Sequence, residues 1–294
     1  MTSVKESYRI CYDVTRKTGK NFYYTFLLLP QAKRTAMYAV YAFMRRTDDI
    51  SDELDDPALQ LKLFHDLKEE LSYACAGGTE TSALLPAFAD AVSRYGIPKS
   101  YFIELIEGAE MDLSKKRYRN FDELYGYCYK VAGTVGLVCA RVFGCAGPDA
   151  LKYAEYCGIA FQLTNIIRDV REDAGRGRIY LPQEDLERFG YPEKDLLSFQ
   201  DNDKFRELIR FQAERARQYY EKALPLFDYI DGDSRPALEA MMSIYGLILK
   251  KTEKSGYDVM NRRIKPSFIE KISVIGGLFL RSLFFAGNSE RRTP

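Results

Sequence analysis

Two acidic clusters stand far apart in the chain, Asp48-Asp49-Ile50-Ser51-Asp52 and Asp169-Val170-Arg171-Glu172-Asp173, each late in an apolar segment of helical spacing. On a helix, residues four apart share a face with Cβ atoms roughly 5–6 Å apart, so Asp48 with Asp52, and Asp169 with Asp173, form two-carboxylate claws. Asn165 extends the second claw by one turn. Like charges at that spacing repel, and burying such pairs in a helical core makes sense mainly where a cation neutralises them. Magnesium suits the role. It takes oxygen ligands, keeps several waters and is commonly held by one or two carboxylates together with substrate phosphates. The candidate metal ligands are therefore Asp48, Asp52, Asn165, Asp169 and Asp173. The single histidine, His65, lies in the charged stretch from Lys62 to Glu70, reads as a surface residue, and leaves no second imidazole for a His-based metal site or a catalytic triad.

The segments that must hold these clusters read as helices almost throughout. Pro30 opens the run leading to Asp48, and Pro57, Pro98, Pro148 and Pro236 mark further starts, proline being favoured in a first turn. The segment from Pro148 to Asp173 is apolar around most of its circumference, which predicts a buried helix whose polar residues find partners inside the protein. A second buried candidate, Tyr125 to Val142, is interrupted by Ala132-Gly133-Thr134-Val135-Gly136. Glycine in mid-helix costs about 1 kcal/mol relative to alanine, so the pair predicts a kink or the close approach of something bulky. With short Gly/Asp turns, no internal repeat and no long linker, the 294 residues predict one all-α domain spanning 1–294.

Composition narrows the function classes. Apolar residues make up 46% and charged residues 29%, the profile of a soluble globular protein. A formal charge of +1, from 43 basic and 42 acidic residues, gives no global field to draw nucleic acid. Six scattered cysteines without a CxxC pair, and no secretory leader, predict a reducing cytoplasmic setting. Near the C-terminus, Arg262, Arg263 and Lys265 precede an apolar stretch from Phe268 to Phe285 that Glu270, Lys271 and Arg281 interrupt. About 20 consecutive apolar residues are needed to span a bilayer, so this stretch predicts peripheral contact with a membrane surface or a docked helix.

Three blocks in this order carry a family resemblance: Tyr41-Ala-Phe-Met-Arg45-Arg46-Thr47-Asp48-Asp49-Ile50-Ser51-Asp52, Tyr127-Cys-Tyr-Lys-Val131-Ala-Gly133-Thr-Val-Gly136, and Gln162-Leu-Thr-Asn165-Ile-Ile-Arg168-Asp169-Val-Arg-Glu-Asp173, followed by Gly177-Arg178-Ile179-Tyr180-Leu181-Pro182. The chain resembles the squalene and phytoene synthases, all-helical prenyltransferases that join two prenyl diphosphates head to head. The resemblance implies an isoprenoid synthase-like helical bundle with a central apolar cavity, and two to three Mg²⁺ ions on the aspartates and Asn165. Arg45, Arg168 and Arg178 would contact the phosphates, and arginine's paired donors fit phosphate oxygens. Phe22, Phe26, Tyr41, Tyr127, Val131, Gly136, Gln162 and Tyr245 would surround the prenyl chains, ring faces offering about 0.5–2 kcal/mol to a cation.

In the reaction so implied, C1 of one unit ionises, attacks the 2,3 double bond of the other and loses a proton to give a cyclopropylcarbinyl diphosphate, with Tyr127 or the departing diphosphate as acceptor. The stretch Phe22-Tyr23-Tyr24-Thr25-Phe26-Leu27-Leu28-Leu29-Pro30 looks most like the bacterial presqualene diphosphate synthases, which leads us to expect condensation of two farnesyl diphosphates, ending at presqualene diphosphate or continuing to squalene or dehydrosqualene. The Arg45-Arg46-Thr47-Asp48 wording is shared with phytoene synthases, whose substrate is geranylgeranyl diphosphate. A non-catalytic scaffold is disfavoured, because both claws are intact. Gly19-Lys20-Asn21-Phe22 replaces the Ser-x-Ser-Phe of many members, leaving Lys20 and Asn21 as phosphate contacts. No Gly-rich dinucleotide fingerprint is present, but members that use NADPH lack one too, so NADPH use stays open. Downstream isoprenoid enzymes are the expected partners.

Overall fold

Most of the long helices begin beside a proline or at a side chain that caps a free amide of the first turn. The structure, a computed structural model, describes residues 2–54 and 56–289, with the side chains of Lys20, Asp52, Glu53 and residues 280–289 outside the description. Helix α1 (Val4–Thr18) is capped by Ser3, α2 (Lys20–Phe26) follows Gly19, and α3 (Gln31–Glu53) starts after Pro30. Asp56 caps α4 (Pro57–Cys75), and α5 (Leu85–Tyr95) leads to α6 (Lys99–Ser114) after Pro98. Capped by Asn120, α7 (Phe121–Cys128) passes through a π-helical turn (Tyr129–Gly133) into α8 (Thr134–Val142). Then come α9 (Ala150–Gly175), α10 (Gln183–Arg188), α11 (Glu193–Leu197), α12 (Asp203–Ala223), α13 (Leu226–Tyr229), α14 (Arg235–Lys254) and α15 (Phe268–Ser289). No strand occurs among the described residues.

Helix α9 is the central element and packs on α7, α8, α12, α13 and α14. The all-round apolar character expected of it is borne out: Ile159, Ala160, Leu163, Ile166, Ile167 and Val170 are buried on several of its faces. Helix α3 is clamped from the other side by Phe43, whose ring stacks on Phe88 of α5 at 4.1 Å, while Phe102 of α6 meets Phe88 edge-on at 5.0 Å. Full burial of such a ring stabilises by about 1.5–3 kcal/mol, so this cluster fixes the helix that carries Asp48.

The interrupted segment contains both the π-helical turn and the close approach expected of its glycines. A Cβ on Gly136 would sit 2.3 Å from the Ala154 carbonyl oxygen, and one on Gly158 would sit 2.2 Å from that of Ala132. The bulky neighbour is thus the backbone of α9 itself, against which α8 and the π turn lie with no side chain between them. Helix α15 packs on α14 and α2 through the Lys251–Glu270 ion pair (2.8 Å) and the Tyr24–Phe268 ring contact. Among the described residues no helix is long and apolar enough to cross a membrane.

Candidate active site

A cavity of about 250 Å³ runs between α2, α3, α6, the π turn, α8, α9, α13 and α14. Of the residues singled out by sequence, Phe22, Phe26, Tyr41, Arg45, Asp48, Val131, Gly136, Gln162, Asn165 and Tyr245 line it. Both α3 and α9 start near the Tyr229–Ser234 turn, through the Lys33–Asp231 bond and the Ala146–Tyr229 backbone bond, so they run in the same direction. Their polar residues, Asp48 and Asn165, therefore share one end of the cavity. Met37 and Ala154, each eleven residues earlier, mark the other end, about 16 Å away at 1.5 Å per residue.

The polar end has an aromatic collar. Phe161 stacks on Tyr245 at 4.3 Å, and Phe22 touches both Tyr245 (6.0 Å) and Tyr41 (6.2 Å). Burial pushes the Tyr245 phenol up to about 12, which keeps it neutral and un-nucleophilic. Asn165 Oδ1 is buried here without a hydrogen-bond partner, its amide nitrogen donating to Gln162 Oε1 at 3.3 Å. Arg45 donates to Asp49 Oδ1 at 2.6 Å and lies 3.8 Å from Asp48 Oδ2. Burial of the first claw is not what the structure shows: the Asp48 side chain is 62% exposed, because it stands near the end of α3, at the rim. The Asp52 and Lys20 side chains lie outside the described residues. Asn21 Oδ1 is buried and unpartnered.

Asp169 and Asp173 of the second claw, like Tyr127, Arg168 and Arg178, are not among the residues that line the cavity. Asp169 is held by Arg168, in a bidentate contact, and by Arg263 at 2.9 Å, whose other guanidinium nitrogen reaches Glu172 at 3.0 Å. Asp173 turns toward Arg178, Tyr180 and Leu181. Burial, then the negative charges of Asp169, Asp112 and Glu172, push its carboxyl up to about 7. Beneath it, Asp112 at the end of α6, 8% exposed, accepts from Tyr180 Oη at 2.8 Å and Tyr127 Oη at 3.0 Å, with Arg178 Nη1 at 3.9 Å. The Tyr127 and Tyr180 rings stack at 5.0 Å, and burial followed by the Asp112 charge raises the Tyr127 phenol well above its ordinary value.

Sequence reasoning missed Asp112, Tyr180, Phe161 and Arg263. A lone carboxylate closing the apolar run Leu105–Ile106–Ala109 was a usable signal for Asp112, and Tyr180 sits two residues from Arg178; nothing in the local pattern marked Arg263. His65, by contrast, is exposed, as expected, with its Nε2 3.4 Å from Glu69 Oε1.

An all-oxygen donor set, an orphaned buried amide oxygen and a carboxyl driven up by burial and then by its acidic neighbours fit a hard divalent cation. Among the described residues no three Asp, Glu, His or Cys groups are gathered closely enough to hold one unaided.

Residues 15–270 match the squalene/phytoene synthase family. The chain is 39% identical over 275 residues to the 15-cis-phytoene synthase of Synechococcus elongatus, covering 90% of this chain and 89% of that protein. It is 38% identical over 286 residues to the phytoene synthase of Mycobacterium tuberculosis, covering 96% and 94%. Among solved structures, a dehydrosqualene synthase superposes with a TM-score of 0.86 at 30% identity (95% and 98% covered), and a squalene synthase of Alicyclobacillus acidocaldarius with 0.81 at 28% (86% and 95% covered). The two phytoene synthases, at 38–39% identity, overturn the expectation of farnesyl diphosphate condensation to presqualene diphosphate, although the solved structures are of squalene type. That expectation rested on the Phe22–Pro30 stretch, and the structure shows why it was a poor guide: Tyr23 packs on Tyr12 and Tyr38, and Tyr24 on Phe268, so only Phe22 and Phe26 of the stretch line the cavity.

Proposed function

The chain belongs to the squalene/phytoene synthase family of prenyltransferases, and from that premise we propose that it couples two geranylgeranyl diphosphates head to head, as a phytoene synthase. The observation that carries this reading is an apolar cavity with Asp48, the Asn165 amide and Arg45 gathered at one end. Such a cavity suits a substrate with a doubly charged head and a long hydrocarbon tail.

Mg²⁺ would be held by Asp48, Asp52, Asn165, Asp169 and Asp173 together with diphosphate oxygens; when bound, it offsets the negative charge that builds on the leaving group. Arg45, Arg168 and Arg178, each half-buried and already paired with a carboxylate, are poised to exchange that partner for a phosphate oxygen. The departing C1–O bond leaves an allylic cation among Phe22, Tyr41, Phe161 and Tyr245. Their ring faces stabilise positive charge, and the neutral Tyr245 phenol offers no anion to quench it. The 2,3 double bond of the second unit closes the new C–C bond with loss of a proton, giving a cyclopropylcarbinyl diphosphate; loss of its remaining diphosphate and of a second proton then gives the C40 hydrocarbon. In our reading Tyr127 Oη receives the first proton while passing its own proton to Asp112 Oδ2, since a phenol held neutral by burial accepts a proton only by giving one up. Quenching the second cation by proton loss forms the central double bond and needs a proton acceptor and no hydride donor, so in this reading NADPH has no part.

The start of α15 supports a proposal of contact with a bilayer surface, from which so apolar a substrate would come. Phe268, Ile269 and Ile272 are exposed there, Ile269 by 78%.

Incubation with Mg²⁺ and either geranylgeranyl or farnesyl diphosphate, followed by mass analysis, tests the function. A C40 hydrocarbon from the first, formed without NADPH, is expected. A C30 product in preference to C40, or no coupling of either, would refute it.

A further inference from the structure

The end of the cavity opposite the carboxylates is closed by an ionic latch that the coupling chemistry does not use. Lys33, in the first turn of α3, has a side chain only 12% exposed. Its ammonium donates to Asp231 Oδ2 (2.8 Å), Asp233 Oδ1 (2.6 Å) and Ser234 Oγ (2.9 Å), which uses all three of its protons. The same turn is tied to the segment after α8: the Asp231 amide donates to the Phe143 carbonyl (3.1 Å) and the Ala146 amide to the Tyr229 carbonyl (2.9 Å). Gly144, at φ 77°, makes room for this joint, since a Cβ there would sit 2.0 Å from Asp231 Oδ2. The start of α3, the end of α8 and the α13–α14 turn therefore meet at one point.

On the inner side of that point Phe143, Ile230, Leu226 and Leu238 line the cavity. Phe143 and Ile230 flank the tied backbone directly: the Phe143 carbonyl is an acceptor of the latch, and Ile230 precedes Asp231. Both stand at helix ends, where no continuing helix holds them, unlike the wall residues of α3 and α9. The acidic partners are half exposed, and ion pairs of that kind contribute little to stability, so a purely stabilising role is a weak account of a threefold joint at this place.

We propose that Lys33 is a specificity-determining positioning residue: by pinning the Asp231–Ser234 turn it holds Phe143 and Ile230 as the floor of the cavity and so sets the longest prenyl chain the enzyme accepts. The inference rests on the cavity being the prenyl site. The latch touches no substrate and acts only through the floor.

Its test is a comparison of kcat/KM for C15, C20 and C25 all-trans prenyl diphosphates in the native protein, Lys33→Met and Phe143→Ala, with thermal midpoints measured alongside. Releasing the floor should raise the C25 to C20 ratio at least about tenfold in Lys33→Met, the scale on which an apolar pocket discriminates small differences in chain length, with C20 turnover little changed. Phe143→Ala should shift the ratio the same way with the latch intact. A lower midpoint with an unchanged ratio in Lys33→Met would make the latch a brace and overturn the proposal, as would an unchanged ratio in both variants. Should Lys33→Met fail to fold, Asp233→Asn, which weakens one leg of the joint, is read by the same ratio. If the native protein turns over none of the three substrates, the reading of the cavity fails and this inference with it; native turnover with unmoved selectivity sinks the inference alone.

Discussion

The Tyr127 hydroxyl donates to Asp112 Oδ2 at 3.0 Å, and the Tyr180 hydroxyl donates to Oδ1 of the same carboxylate at 2.8 Å. One buried aspartate thus orients two stacked phenols from α7 and from the segment after α9, and both its oxygens are taken. In this setting Asp112 resembles the third member of a catalytic triad, which orients its neighbour and stabilises the charge that neighbour acquires.

Replacing Asp112 by Asn keeps an acceptor for one phenol and removes the sink for a proton. We expect kcat to fall by about 10²-fold with little change in KM, within the range of general acid–base contributions. Tyr127→Phe should behave alike, and the double variant should be no worse than either single one, because the two act as a unit. Steady-state kinetics decide it; unchanged kcat in Asp112→Asn would show the pair to be structural.

Asp173 carries a carboxyl at about 7, above the ordinary carboxylate value of 3.8, so between those pH values the folded chain holds a proton the unfolded chain has lost. Stability of the metal-free protein should therefore fall as pH rises from about 4 to about 7 and stay lower above that. Asp173→Asn removes the penalty. At pH 8 without metal it should be more stable than the native protein by about 2–4 kcal/mol, the scale of a shift of this size, while losing activity. Urea denaturation at pH 5 and pH 8 checks the sign: the difference between the two proteins should be larger at pH 8.

Gly158→Ala should destabilise the protein by about 1–3 kcal/mol, the usual cost of forcing atoms into a filled space, because the new methyl meets the Ala132 carbonyl and the Gly133 Cα. Gly246, on α14, faces open space and serves as the control: alanine there should be tolerated or slightly stabilising. Thermal denaturation of the two variants gives the comparison.

Ile269→Glu with Ile272→Glu should reduce co-sedimentation with phospholipid vesicles, with turnover of detergent-dispersed substrate unchanged. Equal sedimentation of native and variant protein would remove α15 as a membrane contact.

Much of the architecture could be read from pattern. Proline and capping residues marked where α3, α4, α6 and α14 begin, since first-turn amides need partners or a residue that lacks one. The all-round apolar character of α9 announced burial. Much of the cavity wall was legible too, because Tyr41, Val131, Gly136 and Gln162 fall within the motif blocks and Phe22 and Phe26 in the aromatic stretch before Pro30, whereas Tyr245 rested on the family resemblance alone. What the pattern did not show is direction across helices. Tyr23 and Tyr24, which stand between Phe22 and Phe26 in the same aromatic stretch, pack on Tyr12, Tyr38 and Phe268.

By itself, the order of residues determined an all-helical chain with two carboxylate clusters on helix faces, because helical periodicity and i, i+4 spacing are local properties. Only the tertiary structure decided that Asp48 stands at an exposed rim, that Asp169 is met by Arg263 from the segment before α15, that Asp112 lies beneath Tyr127, and that Lys33 closes the far end of the cavity on Asp231. Those partners are 94, 15 and 198 residues apart for Asp169–Arg263, Asp112–Tyr127 and Lys33–Asp231, so their pairing is set by how α3, α6, α9 and α14 pack, which no local spacing encodes.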